Sequence, residues 1–121
     1  MRVLIINPNS DQETADVLSK TAQSFLEDRG EFDVVSMRTA PKLVVTYEDQ
    51  AASAMELIAT VRAGRERYDA FILACHADPN LDLVREVAGG KPVFGIAEAS
   101  MRMAAMMHGG YAVITPSDKI I

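Results

Sequence analysis

Short apolar runs alternate along this chain with longer segments whose apolar residues recur at helical spacing. No other feature limits the fold as much. Val3-Leu4-Ile5-Ile6 is a continuous apolar run, as expected of a strand covered on both faces. Ser10 and Glu13 then have capping-box spacing, and Asp11 places negative charge where a helix N-terminus favours it. A helix is expected from Ser10, with Val17, Leu18, Ala22, Phe25 and Leu26 as its buried stripe and Gly30 as its stop.

The pattern repeats. Phe32 to Met37 reads as a second strand, followed by a loop through Pro41 in which Leu43-Val44-Val45 is a candidate extended stretch. Glu48 to Arg67 reads as a helix that buries Ala51, Ala54, Met55, Ile58 and Val61, with Leu57 at the margin. Gly64 weakens its last turn. Asp69 to Cys75 is a third strand. Asp78 is placed to cap a helix that has Pro79 at its first position, carries Leu81, Val84 and Val87, and ends at Gly89-Gly90. Pro92 to Ile96 is a fourth strand, Glu98 to His108 a methionine-rich helix stopped by Gly109-Gly110, and Ala112 to Thr115 a fifth strand. Such alternation predicts an α/β fold: a three-layer, flavodoxin-like unit with a mainly parallel sheet.

Composition narrows the function. The 121 residues form one ordinary domain, with 49% apolar and 24% charged residues. The net charge is -5, there is no tryptophan, and no Lys/Arg cluster stands out, so a nucleic-acid or anionic-membrane surface is disfavoured. A small anionic ligand stays open, because helix N-termini bind anions without net positive charge. No signal peptide and no membrane-length apolar run is visible. One cysteine makes no internal disulfide, and a cytoplasmic protein is expected.

Ligands of parallel α/β sheets bind at the carboxyl ends of the strands. Here those ends are Asn7-Pro8-Asn9, the loop through Thr46-Tyr47, Cys75-His76 and Thr115-Pro116-Ser117. Cys75 is either a small hydrophobe closing a core strand or a reactive thiol, lowered in pKa by the helix start after Asp78-Pro79 or by His76. A phosphatase-type loop is excluded because Leu81 stands where its arginine belongs, and a thioredoxin-type site because Asp78 stands where its second cysteine belongs. Cys75, His76 and His108 are too few for a structural zinc site, and no metal is expected. The first turn lacks the glycines of a dinucleotide or P-loop site. Asn7 and Asn9 are either turn residues or amide partners for a carboxylate or ureide. Tyr47 is a hydroxyl donor or a packing residue. The methionines 101, 103, 106 and 107 are core or interface filler, and Glu98 a helix-start charge.

Leu4-Ile5-Ile6-Asn7-Pro8-Asn9-Ser10 also lays over Ala112-Val113-Ile114-Thr115-Pro116-Ser117-Asp118. The repeat sets residues 1–111 as one domain and 112–121 as the start of a second.

These segments together resemble the aspartate/glutamate racemase superfamily, and within it the hydantoin (allantoin) racemase branch. The resemblance rests on Val3 to Ser10, Thr46-Tyr47-Glu48-Asp49, Leu73 to Leu81 with its Cys-x-x-Asp-Pro, Pro92 to Ala99 with its Gly-Ile-x-Glu-Ala, and Ala112 to Thr115. It implies two pseudo-symmetric α/β domains with a pocket between them, each giving one cysteine. One thiolate removes the proton beside a carbonyl, and the other thiol returns one to the opposite face. No metal or pyridoxal cofactor takes part. On this sequence Cys75 matches the first-domain catalytic cysteine, and Asn7, Asn9, Tyr47, His76, Thr115 and Ser117 fall where substrate contacts are expected.

The resemblance thus implies an isomerase: a racemase of hydantoins or amino-acid derivatives, with a small-molecule substrate and a homo-oligomeric assembly. Members of the family are longer, and their second cysteine lies in a half without counterpart here. The chain is therefore expected to be truncated, with little activity alone. The alternatives are a decarboxylase or cis–trans isomerase of the same superfamily, and an inactive fragment in which Cys75 only packs.

Overall fold

Strand β1 (Arg2–Asn7) is the strand on which the sheet is built. It pairs in parallel with β2 (Glu31–Ser36) on one side and with β3 (Ala70–Leu73) on the other. Strand β4 (Val93–Gly95) adds to β3, again in parallel, giving the order β2-β1-β3-β4. Four helices intervene or follow: α1 (Gln12–Leu26), α2 (Tyr47–Gly64), α3 (Leu81–Val87) and α4 (Ile96–His108). The computed structural model describes residues 1–115.

Successive residues of a strand point to opposite faces, so β1 feeds two cores. Val3 and Ile5 join Ala70 and Ala74 on one face, covered by Leu18 and Ala22 of α1. Leu4 and Ile6 join Phe71 and Leu73 on the other, under Leu57 and Val61 of α2 and Val84 and Val87 of α3. That is the expected three-layer arrangement. Gly64 is explained by the second core: a Cβ there would meet the rings of Phe71 and Tyr68 at 3.1 Å. Its cost in helix propensity is offset by close packing.

Several expectations are corrected. Helix α1 starts one residue later than expected, with Asp11 rather than Ser10 as N-cap: the Asp11 carboxylate accepts from the Thr14 N–H at 3.0 Å. Its inner face is Ala15, Leu18 and Ala22, while Val17 is exposed and Phe25 is 72% exposed. Glu27, not Gly30, takes the C-cap position. In α2 the buried row is Ser53, Leu57, Val61 and Gly64. Leu57 is fully buried and Met55 is 74% exposed, so the helix is rotated from the expected stripe. An i, i+4, i+8 row of small and branched residues lies flatter on the sheet than one carrying Met55.

Strands β3 and β4 are shorter than expected, and α4 begins at Ile96, directly after β4. Residues 112–115 form no strand. Val113 and Ile114 lie exposed instead, beside α4. The apolar run was too short to separate a strand from an extended tail.

At the amino edge, the Asp33 carboxylate accepts from the Tyr68 hydroxyl (2.7 Å), Arg2 (2.9 Å) and Arg67 (3.3 Å). Both guanidinium groups lie over the Tyr68 ring, 5.5 and 5.3 Å from its centre. This cluster ties β1, β2 and the start of β3 together. The Tyr68 hydrogen bond, with Arg2 and Arg67, holds the Asp33 carboxyl below its usual pKa.

Two outcomes are expected. Leu57→Ala lowers unfolding free energy in urea by about 2–5 kcal/mol, whereas Met55→Ala changes it by less than ~0.5 kcal/mol. A depressed folded pKa gives stability that is present above the unfolded value and lost as pH falls through the folded one. Asp33→Asn therefore lowers Tm at neutral pH and flattens the acid limb of Tm against pH. An unchanged acid limb refutes the assignment.

Candidate functional site

The register of the parallel ladder decides what meets at the carboxyl edge. Ile6 pairs with Leu73, and the Ala74 N–H donates to the Ile6 carbonyl at 2.8 Å. The turn after Ile6 and the turn after Ala74 are thereby neighbours. The first carries Asn7 and Asn9, and the second Cys75 and His76.

Asn7 is buried, with 1% of its surface exposed. Its Nδ2 donates to Asn9 Oδ1 (2.7 Å), the Asp11 carbonyl (3.1 Å) and Ser36 Oγ (3.1 Å). Asn9 Oδ1 also accepts from the Asp11 N–H at 2.9 Å, and the Asn9 carbonyl from the Met37 N–H at 2.9 Å. The two asparagines thus shape the β1–α1 turn and fasten it to the end of β2. Asn7 Oδ1 is buried without a hydrogen-bond partner.

Cys75 is half-buried at the mouth of the next turn, which the Asp78 N–H closes onto the Cys75 carbonyl at 3.0 Å. Burial is the main force on its thiol and pushes the pKa up. The Ala77 N–H pulls it down, the Asp78 charge pushes it up again, and the His76 N–H pulls it down. The net direction is upward, opposite to the lowered thiol of the reactive alternative. Helix α3 does not help because it begins only at Leu81, with Asn80 in the N-cap position. The His76 side chain is exposed, and its residue acts on the thiol through its backbone N–H.

Asp78 does not cap the helix that follows it. It has φ 45°, and its carboxylate reaches across to α4. Oδ1 accepts from the Ala97 N–H at 3.1 Å and Oδ2 from the Glu98 N–H at 2.6 Å. Gly95, the N-cap residue of α4, makes no side-chain cap of its own. A Cβ on Gly95 would lie under 3.0 Å from the Asp78 carboxyl carbon and both its oxygens. Asn80, at φ 59°, donates from Nδ2 to the Gln50 carbonyl at 2.7 Å and anchors the far end of the turn on α2.

The remaining candidates spread out from this centre. Tyr47 is the first residue of α2, 77% exposed, behind a capping box formed by Thr46 and Asp49. Thr115 is half-buried at the end of the described chain, and Ser117 lies outside the described residues. His76, Ser100, Met101, Ala104, Tyr111 and Ile114 line an apolar groove of about 390 Å³ beside α4. The structure therefore brings Asn7, Asn9, Cys75 and His76 to one edge. It leaves Tyr47 facing solvent.

Comparison with known proteins follows this geometry. Residues 3–119 match the sequence family described as Asp/Glu/hydantoin racemase. The chain belongs to that family. A hydantoin racemase of Pseudomonas sp. (strain NS671) is 33% identical over 121 residues, which cover 99% of this chain and 48% of that protein. A hydantoin racemase of Paenarthrobacter aurescens is 32% identical, over 95% of this chain and 49% of the relative. Among solved structures, allantoin racemase from Klebsiella pneumoniae aligns with TM-score 0.81 at 34% identity, over 88% of this chain and 43% of that one. Allantoin racemase from Pseudomonas fluorescens shares the fold, with TM-score 0.89 at 22% identity, over 99% of this chain and 51% of that one. The chain spans about half the length of the curated racemases it matches.

Sequence reasoning missed the partners that hold this racemase-family edge: Ser36 under Asn7, and Asp78 with Gly95 against α4. The signal for the last pair was present. A glycine stood where a strand gives way to a helix, no capping side chain stood just before that helix, and an aspartate stood in a nearby turn.

Because burial and Asp78 raise the Cys75 thiol, its alkylation by iodoacetamide is expected to be slow at neutral pH. The rate should climb only above the ordinary thiol range, about pH 8.5. A midpoint at or below neutrality contradicts this account of the site.

Proposed function

We propose that this chain supplies one half of a cofactor-independent racemase or epimerase site, with Cys75 as one of two acid/base residues. The observation that carries the reading is Cys75 at the carboxyl edge of a racemase-family sheet, beside the Asn7–Asn9 turn. Racemisation passes through a planar, enolate-like species, so acid and base stand on opposite faces of the substrate. The chain has one thiol. The second comes from outside residues 1–111, which we take as the first domain, with 112–121 opening another. A thiol raised by burial rests protonated, which suits the member of the pair that delivers the proton.

The substrate class we propose is a hydantoin, ureide or amino-acid derivative. The relatives' names, hydantoin racemase and allantoin racemase, support it. Substrate contacts are assigned to Asn7, Asn9, Tyr47, His76, Thr115 and Ser117. Asn7, buried in its turn, is best placed to act by fixing Asn9. We place the protein in the cytoplasm, where a single thiol stays reduced. We propose a homo-oligomer, in keeping with the exposed Met103, Met106 and Met107 of α4.

The test is exchange of the substrate α-hydrogen with deuterated water. The 121-residue chain alone should show little or no racemisation, and Cys75→Ser should lower the remaining exchange by about 10²–10⁴-fold, as for loss of a general acid–base group. Exchange that persists unchanged in Cys75→Ser removes Cys75 from the mechanism. Carbon dioxide release without inversion would instead favour decarboxylation.

A further inference from the structure

The Cys75 turn and helix α4 leave the carboxyl ends of two paired strands. The turn follows β3 and α4 follows β4. Beyond the β3–β4 ladder, which sets Leu73 opposite Gly95, the Asp78 carboxylate links them. The first N–H groups of any helix lack intrahelical partners, and Gly95 has no side chain to satisfy those of α4. Asp78 does so from the neighbouring turn, one oxygen to each of Ala97 and Glu98. A carboxylate accepting two N–H bonds at a helix N-terminus makes a strong, charge-assisted contact.

Three further observations show the turn is built around this contact. Asp78 holds φ 45°, a left-handed conformation that costs a non-glycine residue energy. The space the carboxylate occupies exists only because residue 95 has no Cβ. The neighbouring charges are turned elsewhere, since the Glu98 carboxylate is engaged by Arg85 of α3 and by Arg102 of α4.

We propose that Asp78 is a positioning residue for Cys75: its carboxylate clamps the Cys75 turn onto the N-terminus of α4, with Gly95 as its necessary partner. The clamp fixes the direction of the thiol and holds the Asp78 carboxylate on the helix N-terminus. This assignment rests on the racemase reading for its purpose. Its geometry is tested without any substrate.

Cys75 is the only thiol, so its alkylation reports on the turn alone. The expected result is that Asp78→Ala and Gly95→Ala each raise the limiting, high-pH rate of iodoacetamide alkylation by about tenfold, the equivalent of ~1.4 kcal/mol less restraint. The double variant should be no faster than Asp78→Ala, because the added methyl has no carboxylate to displace. Circular dichroism and thermal melts identify the folded variants to be compared. In the unmodified chain, amide exchange supplies an independent reading: the Ala97 and Glu98 N–H groups should be protected, although they lie in the first turn of a helix.

Unchanged alkylation in both single variants overturns the proposal. So does a Gly95→Ala effect that is equally large without Asp78, or free exchange of both amides. If Cys75→Ser leaves substrate exchange untouched while these results hold, the racemase reading fails and the clamp stands.

Discussion

The parallel pairing of β1 with β3 is the constraint from which the rest follows. A parallel ladder forces each connection to cross back over the sheet, and it aligns all carboxyl ends on one edge. Because Ile6 lies opposite Leu73, the two polar turns that follow become neighbours without further design. A slip by one residue would exchange the two faces of β3. Phe71 and Leu73 would leave the core under α2 and α3, and Cys75 would turn away from the Asn7 turn.

Around that edge, side chains do work that the backbone leaves undone. Asn7 and Asn9 satisfy the N–H and carbonyl groups of their own turn. Glu56 reaches from α2 to the loop after β2 and accepts from the Arg38 and Thr39 N–H groups, each at 2.7 Å. Asp78 does the same for α4. Each is a carboxylate or amide fixing a loop or helix start at the carboxyl edge of the sheet. At the amino edge, the Asp33–Tyr68–Arg2–Arg67 cluster joins strands and carries no turn. The balance differs between the two edges: charge pairs dominate at the amino edge, where the Asp69 carboxylate also accepts from the Arg2 N–H, and side chains that grip backbone dominate at the carboxyl edge.

Much of this was legible in the sequence. The alternation of apolar runs and helical segments marked the four strands and four helices of the described residues, because burial period is a local signal, but it also marked a fifth strand at 112–115 that does not form. The Cys-x-x-Asp-Pro and Gly-Ile-x-Glu-Ala segments pointed to the family to which the chain belongs. What failed was rotational phase and long-range partnership. Met55 and Leu57 are both apolar and two residues apart, and only the sheet beneath decides which faces it. Ser10 and Asp11 are both good caps, and the Asn9–Asp11 hydrogen bond settles which serves. The role of Asp78 was hidden because its partner lies beyond a whole helix and strand. The direction of the Cys75 shift stayed open for a related reason: burial, the dominant cause, is a tertiary property.

The missing Cβ of Gly95 has a consequence for how such a chain can vary. While Asp78 is present, every other residue at position 95 collides with it. Once Asp78 is lost, that prohibition lifts and position 95 becomes free to drift toward better helix-capping residues. Return is then blocked, since restoring the aspartate would require restoring the glycine first. The pair therefore acts as a ratchet, in which the order of substitutions decides whether the Asp78–Gly95 arrangement is recoverable.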